Sequence, residues 1–310
     1  PRPTTRKLER RTRTTRLRSP WPSVMSSIAR QMWEATERYH QLCYWAPEVR
    51  EEGSRAGLKG FWMNYFATRV APLGPVNPKA VESLFFYYAP QRIERAIPDA
   101  WSYATPEAII EARYRGMDQA LKRELGPLVE SEELLRAAEI IKSVVQNVDG
   151  TGRTLFTGWS SLPWPNEPHL ALWHGCTALR EHRSGCHLMA LALVGLDGPQ
   201  SVITQVAVDE APAEWVQHEA GWSDDDVATA TAELRETGWL DEQDKATDAC
   251  YEGRRRIEEL TDQMNEQHWM RLGAETRGEL SSLLNVINKE LPKDDQIDWR
   301  EIYESNETQN

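Results

Sequence analysis

Four of the seven histidines of this 310-residue chain fall between His169 and His187. The same stretch holds Trp173, Cys176, Arg180, Glu181, Arg183 and Cys186. Imidazole titrates close to neutral pH, so a histidine oriented by a carboxylate can serve as general acid or base. On a helix, His174 and Glu181 lie seven positions apart and share a face, and Arg180 and Arg183 are neighbours. His182 and His174 are therefore candidate catalytic residues with Glu181 as their orienting group, and Arg180 is a candidate clamp for an anionic substrate. His174, His182 and His187 could instead ligate zinc, iron or haem. Their spacing matches no established metal signature, H-E-x-x-H included, so the cofactor stays unknown. The bland alternative is a helix end on which Arg180, Glu181 and Arg183 pair in solvent.

A second constellation is aromatic. Of 27 aromatic residues, 14 lie between Trp33 and Tyr103. Phe85, Phe86, Tyr87 and Tyr88 on one helix would point in four directions, because successive residues turn by about 100°. Such a density suits the wall of a pocket for a flat organic molecule, with Trp62, Tyr65, Tyr39 and Trp173 as wall residues and Arg69 holding an anionic group. The alternative is a core of large side chains with a homodimer face.

The elements that must position these groups read as helices. Apolar residues recur at helical spacing over 27–44, 60–70, from 78 onward, 131–148 and in the second half. The stretch 105–126 has Thr105 as N-cap, Pro106 at the first helical position and Gly126 at its stop. Ser223 with three following aspartates opens another helix, which Gly238 ends. Ser184–Gly185 is expected to break the His-rich helix, so that His187 starts the next element and folds back towards His182. The polar segment 239–248 suits a short two-stranded wing. The layout is a basic leader over 1–24 without apolar period, a helical domain over 25–148, a Gly/Pro-rich linker over 149–168, a second domain over 169–292 and a polar tail over 293–310.

The two halves show a faint internal likeness. "FWMNYFATR", ending at Arg69, aligns with "LWHGCTALR", ending at Arg180, and Trp62 falls opposite Trp173. Trp101 and Trp222 then precede the acid-opened helices "TPEAII" and "SDDDVA". A duplication predicts a pseudo-symmetric fold with a cleft between the halves. Tyr39, His40 and Arg69 would then face Arg180 across it.

"AELRETGWLDEQDKATDACYEGRRRIEELTD" resembles the end of a MarR-type winged helix, with Leu234, Gly238 and Leu240 at the helix-to-wing positions and Thr247, Gly253 and Arg254 at the corner into the following helix. "GLKGFWMNYFATRVAPLGPV", "AIPDAW" and "LWHGCTALREHR" resemble an actinobacterial family of helix-turn-helix-like proteins, over roughly residues 28–285. The resemblance implies a mainly α fold of two similar winged-helix-derived halves with short β-ribbon wings. It carries no catalytic residues.

Charge weighs against the partner that such a fold brings to mind. The chain has a net charge of −12. Residues 1–24 carry eight arginines and lysines against Glu9, so the remainder stands at −19. Between Glu219 and Asp248, ten acids face only Arg235 and Lys245. Phosphate neutralisation by Lys and Arg supplies most non-specific DNA affinity, and this segment would repel the backbone. Met25 reads as a natural start, which makes the basic leader an upstream remnant; a DNA-touching arm is the other reading. Four cysteines without a C-x-x-C pair fit reduced thiols in a cytoplasmic protein. No apolar run reaches the length of a membrane span. Phosphate-loop, dinucleotide, kinase and G-x-S-x-G signatures are all missing. The leading expectation is a protein that binds a small organic molecule, with an enzyme of specialised metabolism as one form of it. The alternatives are a MarR-like DNA-binding regulator read through Ser223–Trp239, and a metal or haem protein.

Overall fold

The computed structural model describes residues 27–293 together with Gln296, Ile297 and Ile302; the leader over 1–24 and most of the expected tail lie outside these residues. The first half contains α1 (Ile28–His40), α2 (Leu42–Trp45), α3 (Pro47–Arg55), α4 (Gly60–Val70), α5 (Pro78–Leu84), α6 (Pro90–Glu94), α7 (Ala100–Tyr103), α8 (Pro106–Leu125) and α9 (Glu132–Gln146). Then follow α10 (Thr154–Ser160), α11 (Pro168–Val194), α12 (Gly198–Ala207), α13 (Asp224–Glu236), α14 (Asp248–Arg271) and α15 (Ala274–Ile287). The caps follow local chemistry. Thr105 Oγ1 accepts from the Ala108 N–H, Pro106 occupies the first turn, and Gly126 ends α8 at φ +53°. Ser223 and Asp226 form a reciprocal capping box at the start of α13.

α11 is the axis of the molecule. It is buried along most of its length and packs against α1, α8, α9, α10 and α14. It also runs without interruption through Ser184 and Gly185, contrary to the expected break. A Cβ on Gly185 would stand 3.2 Å from Arg153 Cγ, so the glycine is where the 147–153 segment approaches the helix. Tertiary packing on several sides outweighs the roughly 1 kcal/mol that an interior glycine costs a helix.

Three apolar clusters surround this axis. The largest joins Tyr39, Leu121, Ile141, Trp173 and Leu284, and so draws on both sides of the 149–168 segment, which itself contains α10. A second lies under α4–α8, around Phe66, Val81, Ile97 and Ile109. The third unites the end of α11 with α12, α13 and α14 through Leu191, Val202, Leu234 and Ile257. Phe85–Tyr88 is not helical, because α5 ends at Leu84. Its four rings divide between clusters: Phe85 and Tyr88 join the second, Phe86 and Tyr87 the third.

Leading into the segment that resembles a winged helix in sequence come α12, one π-helical turn at Trp215–Glu219, a tight turn with Gly221 at φ +83°, and α13. The tight turn is pinned to the first half: the Ala89 N–H donates to the Ala220 carbonyl at 2.8 Å, and Trp222 Nε1 donates to the Tyr87 carbonyl at 2.9 Å. The expected β-ribbon wings are not formed. Among the described residues there is no strand, only an isolated antiparallel bridge between Leu240 and Ala246. The Asp241 carboxylate accepts from the N–H groups of Gln243 and Lys245, both at 2.9 Å, and closes the turn. Away from the turn the pairing has no room to extend, because α13 ends at Glu236 and Thr247 already caps α14. In the first half α8 leads through a 3-10 turn at Gly126–Glu130 into α9, with nothing in the place of a wing. Among the described residues no single helix is long and apolar enough to cross a membrane; α11 and α12 reach that composition only as a pair bent by 94°.

Candidate functional site

Ionic groups from four helices, α11 included, meet beside the middle of α11. The Arg69 guanidinium, at the end of α4, makes two parallel hydrogen bonds to Glu181 of α11, Nε to Oε1 and Nη2 to Oε2, each 2.8 Å. Both side chains are almost wholly buried, at 3% and 1% exposure. Arg69 Nη1 donates to the Tyr65 hydroxyl at 2.5 Å, and Tyr88 OH lies 3.1 Å from the same hydroxyl. Arg180 reaches Glu181 at 3.3 Å and lies 3.9 Å from Glu37 of α1. Next to them His40 sits between Thr177 Oγ1 (3.0 Å) and Tyr44 OH (2.9 Å). Arg113 of α8 donates to Thr68 Oγ1 and to Cys43 Sγ, with its guanidinium between the rings of Trp159 and Trp173.

Three guanidiniums thus share two carboxylates, and the cluster is positive by one charge. Burial acts to raise the Glu181 carboxyl, but Arg69 and Arg180 outweigh it and hold Glu181 below the usual carboxylate range. Burial wins at Glu37, whose carboxyl is pushed up despite Arg180. His40 is kept neutral by burial and by Arg180, Arg113 and Arg69. Two buried atoms of the cluster, Glu37 Oε2 and Arg113 Nε, have no hydrogen-bond partner among the described residues. Arg180 is the guanidinium that reaches solvent, at 20% exposure. Around it Tyr44, Tyr65, Tyr88 and Trp62 are half-buried and in ring-to-ring contact, Tyr44 to Tyr65 at 5.4 Å and Trp62 to Tyr65 at 5.9 Å. Arg180 is thus the charge of the cluster that an anionic group could approach from solvent, next to the Tyr44 ring.

Of the residues singled out by sequence, Arg69, Arg180, Glu181, His40, Tyr65 and Trp62 meet here. The others do not. Tyr39 is buried in the core with its hydroxyl donating to the His169 carbonyl at 3.2 Å. Trp173 is a core side chain whose Nε1 faces the His40 carbonyl at 3.4 Å. His174 Nδ1 lies 2.5 Å from Tyr114 OH, and its ring packs against Trp164. His182 faces Asn265 and the Asp149 carbonyl, and His187 faces Thr261 and Glu258. Steps of about 100° per residue explain the dispersal: from His174 to His182 to His187 the helix turns by about 80° and then about 140°. The three histidines expected as a metal set therefore do not converge, and Glu181 orients neither His174 nor His182. Among the described residues no group of three or more His, Cys, Asp or Glu side chains is placed to hold a metal ion.

Glu37, Tyr44, Cys43 and Arg113 belong to the cluster and escaped the sequence reading. One signal was available: Arg113 falls within the apolar stripe Ile109, Ala112, Gly116, Met117 and Ala120 of α8, where a charge must find a buried partner.

The α12–α13 segment has a different electrostatic character. Asp224, Asp225, Glu233 and Glu236 are exposed on α13. Arg235, the basic residue of that helix, is paired with Asp244 across the following turn, at 2.5 Å from Nη2 and 2.6 Å from Nε. Nothing on this face matches the Lys/Arg array that tracks phosphates.

Comparison with known proteins locates the chain by family. No curated protein and no solved structure matches it. The sequence profile of a helix-turn-helix family matches residues 29–297, which include both the arginine cluster and the α12–α13 segment, and the chain belongs to that helix-turn-helix family.

Proposed function

We propose that this helix-turn-helix-family protein binds a small anionic organic molecule at the arginine cluster, with the carboxylate or similar group on Arg180 and a flat ring system against Tyr44, Tyr65, Tyr88 and Trp62. The observation that carries this reading is the incomplete pairing of Arg180. It is the solvent-reaching charge of a net-positive, otherwise buried cluster, its one hydrogen bond among the described residues is 3.3 Å long, and Glu37 stands off at 3.9 Å. Buried ionisable clusters of this kind are expensive to keep and concentrate at functional sites. An incoming anion would complete the coordination of Arg180. Glu37, with its carboxyl raised by burial, can take a proton and leave the site more positive. Turnover of the bound molecule is one extension of this reading, in specialised metabolism for example, but no proton-handling residue identified from sequence lies at the cluster.

The test is a fluorescence titration and thermal-shift assay with benzoate and indole-3-acetate as probes. Saturable binding that weakens on the order of 100-fold in Arg180→Gln, the loss of a charge-assisted hydrogen bond worth about 3 kcal/mol, is expected. Binding that ignores Arg180→Gln, or no binding of either probe, would sink the proposal.

A second reading is a DNA-binding transcription regulator of MarR type, and it is favoured by the family membership and by the α12–turn–α13 arrangement. The acidic surface of α13 opposes it. Anisotropy titrations of labelled genomic fragments at low salt separate the two readings. Sequence-selective, saturable binding lost on substitution of Arg235, the basic residue of α13, would establish the regulator.

A further inference from the structure

A polar cleft opens where the 147–153 segment meets α11 and the end of α14, with a volume of about 80 Å³. His182, His268, Arg153, Arg271 and Asp149 line it. Asn265 fixes the chemistry of His182. Its Nδ2 donates to the Thr261 carbonyl at 2.7 Å, so its Oδ1 faces His182 Nδ1 at 2.9 Å and that nitrogen must carry a proton. The other ring nitrogen, Nε2, lies 3.2 Å from the Asp149 carbonyl oxygen, which is also an acceptor. A neutral imidazole protonates one nitrogen only, so neutral His182 sets a lone pair against the Asp149 carbonyl, whereas imidazolium satisfies both partners.

The surroundings withhold the negative charge that imidazolium needs. Burial is the largest influence and lowers His182, and Arg153 adds to it. His268 and Arg271 face the cleft from α14, and the neighbouring Cys186 of α11, itself 3.4 Å from Arg153 Nε, is a thiol raised by burial. Asp149 is the lone carboxylate at the cleft, and its Oδ1 already accepts from the Thr151 N–H at 2.9 Å. His268 is 7% exposed and makes no hydrogen bond among the described residues. Apart from Asp149 the charged and imidazole groups of the cleft are donors, and the space between them is room for one tetrahedral oxyanion.

We propose that this cleft is an oxyanion site of the phosphate or sulfate type, in which Arg153, Arg271 and His268 hold the anion and binding is coupled to protonation of His182, whose Nε2–H then donates to the Asp149 carbonyl and fastens the 147–153 segment. The site is separate from the arginine cluster and does not rest on the function proposed for it.

Sulfate is the probe, because its own charge does not change between pH 6 and pH 8. Calorimetric titration should give saturable binding about 10-fold tighter at pH 6 than at pH 8, with proton uptake read from two buffers of different ionisation enthalpy. His182→Gln should abolish the pH dependence, and Arg153→Gln and Arg271→Gln should each weaken binding at pH 6. These two arginines are not in the core, so their variants keep the test decisive if His182→Gln folds poorly. Inorganic phosphate against methyl phosphate identifies the source: equal affinity makes a phosphomonoester the occupant, and preference for phosphate makes it the free ion. No saturable sulfate binding at pH 6, or binding indifferent to both arginine variants, would overturn the proposal.

Discussion

Arg69 and Glu181 set the energetic terms at the residue scale. Their two parallel hydrogen bonds are shielded from water, and each ion is the main counter-charge of the other. Removing one partner leaves a buried, uncompensated charge, whereas removing both leaves a space that apolar side chains can fill. Arg69→Met and Glu181→Leu should each destabilise by about 3–5 kcal/mol in urea unfolding, and the double variant should recover most of that loss. Equal losses in the single and double variants would mean that the pair itself, and not the stranded charge, supplies the stability. Arg180 differs, because its partial exposure and loose pairing let water replace either partner. Arg180→Gln should cost no more than about 1 kcal/mol of stability while removing ligand affinity. That separation between stability and binding distinguishes a recognition residue from a structural one.

Glycines at helix contacts decide how closely elements approach. A Cβ on Gly116 of α8 would stand 2.6 Å from Val49 Cα and 2.9 Å from the Glu48 carbonyl, both backbone atoms of α3. Gly116→Ala should therefore force α3 and α8 apart and cost about 3 kcal/mol. Gly278 of α15 meets nothing within 4 Å, and Gly278→Ala should stabilise by about 0.5–1 kcal/mol through helix propensity alone. Thermal unfolding of both variants checks the pair; a destabilised Gly278→Ala would show that α15 is more crowded than its geometry implies. Helix ends were the legible part of the sequence, because Thr105, Ser223, Gly126 and Gly238 act through local chemistry. Gly185 misled for the complementary reason. Its local signal is a helix break, and packing against Arg153 overrides it from 32 residues away in the chain. The apposition of Arg69 with Glu181 joins residues 112 positions apart, and no local signal carries it. The direction of the histidines was not legible either, since a cluster in sequence is spread around a continuous helix. Arg113 and Glu37 were hidden because their partners lie on other helices.

At the scale of the whole molecule, buried histidines make stability depend on pH. His174 is lowered to about 4 by burial and Lys142, and His268 to about 3 by burial, His182 and Arg271. An unfolded chain protonates both near pH 6.5. As pH falls below that value the unfolded state binds protons that the native state refuses, so stability drops, with a slope of up to about 1.4 kcal/mol per pH unit for each group. At pH 5 the loss should be about 1–2 kcal/mol per histidine relative to pH 7.5. Glu258 adds to the trend only in stronger acid. Burial acts to raise its carboxyl, but His187, Arg30 and Arg183 outweigh that and hold it at about 2, so its contribution is lost as pH falls from 4.5 towards that value. Glu37 works the other way, because a carboxyl raised by burial gains its proton more readily in the folded state. Urea unfolding at pH 7.5 and 5.0 should show the net decline, and His174→Gln, which cannot titrate, should flatten it relative to the native chain. A stability that holds level between these pH values would mean that His174 and His268 admit protons in the folded state, and at His174 also the water that its burial against Trp164 and Tyr114 excludes.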